Sequence, residues 1–140
     1  MTDERAKVIL HAEDELAHAE IVSAAIRLNS ANVQVRQVSN GKDALDYLYH
    51  RGSYQNPGES PRPDLVLLDL RMPLVNGLEV LAVVKKDPDL QSLPVVMLTT
   101  SGAEEDKSKA HACDADDYLI KPVDFDGFVH LVKELCVTWL

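Results

Sequence analysis

Asp69 closes the apolar run of "DLVLLDLRMP" (64–73). An aspartate is disfavoured in a strand and costly to bury unpaired, so its place directly after Val66, Leu67 and Leu68 asks for a reason. Other chemistry-bearing residues follow other apolar runs in the same way. Glu13 and Asp14 follow "KVILHA" (7–12), Thr99 and Thr100 follow "LPVVML" (93–98), and Lys121, with Pro122 behind it, follows "DYLI" (117–120). Three carboxylates brought together repel one another. A hard divalent cation relieves the repulsion, and Mg²⁺ commonly takes one or two carboxylates together with phosphate oxygens and water. A carboxylate in such a setting can act as the nucleophile of a phosphoryl transfer, whose catalysis is mainly positioning and charge neutralisation. The cation and Lys121 would supply positive charge, and the Thr99 hydroxyl could donate to the new phosphoryl oxygens.

These residues converge only if the chain delivers the ends of its apolar runs to one place. "KVILHA", "VQVRQV" (33–38), "DLVLLD" (64–69), "LPVVML" and "DYLI" read as strands. Between and after them lie five helical stretches: 14–30, with Leu16, Ala19, Val22 and Ile26 on one face; "KDALDYLYH", with Ala44, Leu45 and Leu48 inward; "GLEVLAVVKKD"; a polar segment after Ser101, a candidate cap; and 124–140. The loop "RGSYQNPGESPRP" (51–63) is rich in turn formers. Five strand–helix alternations predict an α/β fold of the flavodoxin type, a five-stranded parallel doubly wound sheet of order 2-1-3-4-5. Such sheets bind ligands outside the carboxyl ends of their strands, which is where Glu13, Asp14, Asp69, Thr99 and Lys121 fall.

The bulk composition agrees. A chain of 140 residues, 46% hydrophobic and 26% charged, predicts one globular domain over 1–140. A net charge of −9 argues against nucleic acid as a partner. Cys113 and Cys136 have no metal-type spacing and predict free thiols; no apolar run is long enough to span a membrane, and "MTDERAK" lacks a signal pattern, so a cytoplasmic location is expected. The five histidines, His11 among them, read as structural or exposed.

Four segments, "HAEDE", "LLDLRMPLVNG", "VVMLTTSG" and "DYLIKP", each at a strand end and in this order, resemble the receiver domains of two-component response regulators, in the form of a chemotaxis-regulator-like chain. The resemblance covers nearly the whole sequence. It implies that Asp69 is the phosphoacceptor and that Mg²⁺ is bound by Asp14 directly, Glu13 through water, Asp69, and the backbone carbonyl of Arg71. It further implies that Lys121 pairs with the phosphoryl group, that Thr99 and Tyr118 are the switch hydroxyl and aromatic, and that the Lys121–Pro122 bond is cis. The expected function is a phosphorelay response regulator that is not an enzyme beyond its own phosphotransfer and weak autodephosphorylation. Expected partners are a sensor histidine kinase or phosphotransfer protein and a downstream protein target. The long loop, "LTTS" and the aromatic C-terminus are similar to receivers paired with bacterial phytochrome kinases.

Two other classes share parts of this pattern. A flavin mononucleotide protein of the same sheet order would carry a Gly- and hydroxyl-rich phosphate loop after its first strand; Glu13, Asp14 and Glu15 stand there instead. A haloacid-dehalogenase-type phosphatase would place a second acid two residues after its nucleophile, where this chain has Arg71. A receiver that only binds partners is disfavoured by the set Asp69, Thr99 and Lys121. With no room after Leu140 for an output domain, output through protein contact is expected. The last helix carries Phe125, Phe128, Val129, Val132, Leu135, Cys136 and Trp139 on one face. At about 1.5 Å per residue it outruns a five-residue strand of roughly 17 Å, which predicts that Trp139 and Leu140 overhang the sheet and are buried in a homodimer.

Overall fold

The computed structural model describes residues 6–29 and 32–140. The reading of residues 1–5 and the expected end of the first helix at Ser30 lie outside the described residues. Strands β1 (Lys7–Ala12), β2 (Val33–Val38), β3 (Leu65–Leu68), β4 (Val95–Thr99) and β5 (Asp117–Ile120) alternate with helices α1 (Leu16–Asn29), α2 (Gly41–Leu48), α3 (Gly77–Lys86), α4 (Glu104–Ala112) and α5 (Phe125–Trp139). All four strand pairings are parallel, in the order β2-β1-β3-β4-β5. This is the predicted doubly wound sheet.

Strands β3 and β4 are buried along their whole length and β1 from Val8 onward, as strands covered on both faces must be. Successive side chains point to opposite faces. Leu10, Ala12, Val66, Leu68, Val95 and Met97 therefore pack with α2, α3 and α4 through Tyr47, Leu48, Val80, Leu81, Val84 and Ala110. Ile9, Leu65, Leu67, Val96 and Leu98 pack on the other face with α1 and α5 through Val22, Ile26, Phe128, Val132 and Leu135.

The helix starts are fixed by side chains that satisfy free backbone N–H groups. Asn40 accepts from Asp43 N at 2.7 Å, and Asp124 accepts from Gly127 N at 2.7 Å. Asn76 and Glu79 form a reciprocal capping box at α3. Ser101 does not cap α4. The helix begins later, after Ala103, and Ser101 Oγ instead accepts from Ala103 N and donates to Asp106 Oδ2.

Some orientations differ from expectation. Leu16 is 71% exposed, and the inward face of α1 is Ala19, Val22, Ala25 and Ile26. In α2, Tyr47 is buried while Leu45 only packs against the core's edge. Trp139 and Leu140 do not overhang. Helix α5 lies beside α1, and both residues are half-buried against the core shared with α1 and β2. The length comparison failed because a helix packed along another helix need not end where the strand does.

Candidate functional site

Every residue singled out at a strand end lies at the carboxyl edge of the sheet, and parallel hydrogen bonding continues past the strands to hold them there. Glu13 N donates to Val38 O at 2.9 Å, Asp69 N to Ala12 O at 3.1 Å, and Lys121 N to Thr99 O at 2.8 Å. The loop after Asp69 is seated by two glycines. A Cβ on Gly77 would lie 2.0 Å from the Asp69 carbonyl oxygen, and one on Gly41 1.9 Å from that of Val75. Gly41 thus admits the neighbouring loop rather than merely making a turn.

Lys121 stands at the centre of the site, buried, with its ammonium among three acceptors. It donates to Glu13 Oε1 in a short bond, to Asp69 Oδ2 at 3.2 Å, and lies 2.9 Å from His18 Nδ1. Glu13 is fully buried, and its other oxygen accepts from Glu15 N at 3.3 Å. Burial, followed by the neighbouring Asp69 carboxylate, pushes the Glu13 carboxyl up to about 7. Asp69 Oδ1 accepts from Leu70 N at 2.7 Å. Asp14 is exposed, and no described residue bonds its carboxylate.

One carboxylate oxygen from each of Glu13, Asp14 and Asp69 lies within 4.8 Å of the others. Hard oxygen donors so arranged fit a divalent cation. Asp14 is the acid free to bind one directly, while both Glu13 oxygens are already engaged. A cleft of about 410 Å³ opens over the cluster, lined by Asp14, His18, Asp69, Arg71, Thr99 and Lys121 among others.

Thr99 is the last residue of β4 and is buried, whereas Thr100 is exposed. Its Oγ1 accepts from Ser101 N at 3.3 Å. The half-buried Tyr118 donates its hydroxyl to Ser101 O at 2.8 Å. The Arg71 guanidinium is exposed and lies 3.5 Å from Asp106 Oδ2, the same oxygen that Ser101 Oγ reaches at 2.5 Å. The described residues contain no cis peptide bond, so Lys121–Pro122 is trans. The strand-like bond from Lys121 N to Thr99 O sets the lysine's position, and trans is the lower-energy isomer for an X–Pro bond.

His18 was missed in the sequence. It sits one helical turn beyond Asp14, a spacing that puts both over one end of α1, but only the packing of α1 turns it toward Lys121. His11 lies in β1 and is buried. It sits beside the cluster with no hydrogen-bond partner for Nδ1 among the described residues, and burial, then the Lys121 charge, lowers it to about 4.

A parallel sheet carrying acids, a hydroxyl and an ammonium at one edge suits a carboxylate that accepts a phosphoryl group, and comparison with known proteins identifies the family. The response regulator receiver domain family matches residues 9–133. Response regulator Rcp1 of Synechocystis is 36% identical over 96% of this chain and 89% of its own. A crystal structure of the Mn²⁺-bound form of response regulator Rcp1 superposes with a TM-score of 0.86 and 35% identity, over 96% of this chain and 94% of its own. The phosphorylated cyanobacterial phytochrome response regulator RcpA superposes at 0.88 with 34% identity, over 96% of this chain and 94% of its own. The probable methanogenesis regulatory protein FilR2 of Methanothrix harundinacea is 39% identical over 95% of this chain and 83% of its own. The chain belongs to the response regulator receiver domains of two-component signalling, whose family chemistry is phosphoryl acceptance. Bacteriophytochrome response regulators are among its structural neighbours.

Proposed function

We propose that Asp69 is the phosphoacceptor of a receiver whose domain runs over residues 1–140 and whose output is a change of protein contacts. The observation that carries this reading is the Lys121 ammonium 3.2 Å from Asp69 Oδ2, beside three carboxylates gathered within 4.8 Å. The donor is a sensor histidine kinase or phosphotransfer protein, and the reader is a downstream protein. An Asp69 oxygen forms the new bond to phosphorus as the donor's phosphorus–nitrogen bond breaks and the imidazole leaves with the electron pair. Lys121 neutralises charge on the phosphoryl oxygens, and Thr99 donates a hydroxyl to them. Tyr118 exchanges its bond to Ser101 for an inward position, biasing a two-state equilibrium.

Mg²⁺ is the proposed cation, held by Asp14, Asp69, the Arg71 carbonyl and, through water, Glu13; when bound it screens the charge that gathers in phosphoryl transfer. The Mn²⁺ in Rcp1 and the phosphorylation of RcpA support the analogy. RcpA is a phytochrome response regulator, and the likeness to it makes a phytochrome-type kinase the proposed source of signal. No helix among the described residues is long and apolar enough to cross a membrane, and a cytoplasmic location completes the proposal. The protein acts on no substrate beyond its own phosphoryl group, which it loses by slow autodephosphorylation. A homodimer through α5 remains part of the reading, with the exposed Phe125 and Val137 as contacts.

Incubation with acetyl phosphate and Mg²⁺, followed by intact mass, tests the assignment. Wild type gains one phosphoryl group and Asp69→Asn gains none while its circular dichroism is unchanged; equal labelling of both would remove Asp69 from the role. Asp14→Ala weakens Mg²⁺ binding at least tenfold in a metal titration, whereas the loop variant Glu59→Ala leaves it unchanged.

A further inference from the structure

Arg36 is a half-buried cation with no carboxylate partner among the described residues; its guanidinium donates to the Gln34 side-chain oxygen at 3.4 Å. A guanidinium drawn partly out of water without a counter-charge carries a desolvation cost that a bound anion would offset. Lys7 and Arg62 are exposed, and neither forms an ion pair among the described residues. Acids outnumber bases 23 to 14 in this chain, and elsewhere Lys42, Lys85 and Lys109 all pair with carboxylates. Lys7, Arg36 and Arg62 nevertheless line one cleft together, of about 400 Å³.

The cleft is built into the fold. Val8 pairs with Gln34 and Leu10 with Arg36, so Gln34 and Arg36 share the sheet face of Leu10 and Val38. Gly58, Pro61 and Arg62 of the loop 51–63 form the opposite wall. Tyr47 Oη donates to Pro61 O at 2.7 Å, and His50 Nε2 lies 2.8 Å from Ser60 O, so that wall is tied to the end of α2. A wall held in this way needs little ordering when a ligand arrives. Asp64 also lines the cleft, at the opposite end of β3 from Asp69. Its Oδ2 accepts from Val8 N at 2.8 Å, which leaves Oδ1 to accept from a hydroxyl.

We propose that this cleft is a binding site for a small sugar phosphate. Two guanidinium forks and an ammonium suit a phosphate dianion, while Asp64 and Gln34 suit the hydroxyls of the sugar. The volume falls in the range of small-molecule sites and exceeds a lone phosphate ion, which displaces only a few waters of ~30 Å³ each. The site lies at the far end of the sheet from the acid cluster, and its occupancy does not depend on the role of Asp69.

Amide ¹H–¹⁵N spectra of the full chain provide the test, recorded at about pH 7.5 in low salt with a chelator, so that phosphate is a dianion and no metal draws anions to Asp69. Ribose 5-phosphate is the probe, with inorganic phosphate, ribose and acetate as comparisons. Ribose 5-phosphate should shift the amides of Val8, Gln34, Gly58 and Asp64 with a dissociation constant of about 1 mM or below. Inorganic phosphate should shift the same amides at least threefold more weakly, and ribose and acetate should shift none. Arg36→Gln and Arg62→Gln should each weaken binding of ribose 5-phosphate at least tenfold with unchanged circular dichroism, and Lys133→Gln on α5 should leave it unchanged. No saturable shift up to about 20 mM, shifts centred on Asp69 and Lys121, equal shifts from acetate, or unaltered binding in Arg62→Gln overturns the proposal. Inorganic phosphate binding as tightly as the ester overturns the assignment to a sugar phosphate.

Discussion

His11 in β1 and Glu13 just past its end are both buried, and they titrate in opposite senses. Unfolded, His11 would take a proton near 6.5; folded, it does so only near 4. Between those values the unfolded chain holds the extra proton, so His11 costs stability as pH falls. Glu13 moves from 4.5 unfolded to about 7 folded, so the folded chain holds the extra proton there and Glu13 adds stability as pH falls. The two slopes nearly cancel in the metal-free protein. Glu13→Gln removes one and leaves the other. Urea denaturation in the presence of a chelator should show the variant losing roughly 2 kcal/mol more than wild type between pH 6.5 and 4.5. Parallel curves for the two proteins would mean that Glu13 or His11 does not titrate in this way. At this scale Asp69, Asp14 and Lys121 were legible because each breaks an apolar run. His18 was not, because a helix pattern gives periodicity but leaves rotation about the axis to packing.

Helix α3 joins the stability of an element to the geometry of the site. Its capping residue Asn76 hydrogen-bonds to the first turn of its own helix, whereas the next residue, Gly77, admits the Asp69 carbonyl into the space a side chain would fill. Asn76→Ala should cost about 1 kcal/mol by denaturation and leave phosphorylation by acetyl phosphate within twofold of wild type. Gly77→Ala should cost about 1–3 kcal/mol and also slow phosphorylation at least fivefold, because the overlap shifts the backbone that carries the carboxylate. Equal phosphorylation rates in the two variants would show that the close approach can relax away from Asp69. Sequence periodicity revealed the helices and the sheet order, since five strands alternating with helices leave few topologies. It did not reveal what ties the sheet's other end. Asp64 accepts from Val8 N at 2.8 Å, and Asp116 accepts from Val95 N at 2.7 Å and from Lys85 at 2.8 Å. In sequence these are ordinary acids before a strand, and only the register identifies the N–H groups they meet.

Across the whole molecule, α5 belongs to the core more fully than its length suggested. Asn29 at the end of α1 donates to Val129 O at 3.0 Å, and Trp139 packs against the same core face. Trp139→Ala should therefore cost about 2 kcal/mol by denaturation even where the protein is monomeric. Phe125→Glu and Val137→Glu lie outside that packing and should lower only the association constant. Sedimentation velocity at micromolar concentration checks this, and monomers for wild type with and without beryllofluoride, a phosphoryl mimic, would remove the dimer. The strand order also governs how the chain meets the ribosome. β1 can pair with β2 as soon as Val38 emerges, but its other edge belongs to β3, which cannot arrive until Leu65–Leu68 have been made. At ~5–20 residues per second, residues 39–64 take on the order of seconds to synthesise. Throughout that interval Ile9, Leu10, His11 and Ala12 present an unpaired strand edge on the nascent chain, and chaperones that hold extended apolar segments would find their earliest foothold there.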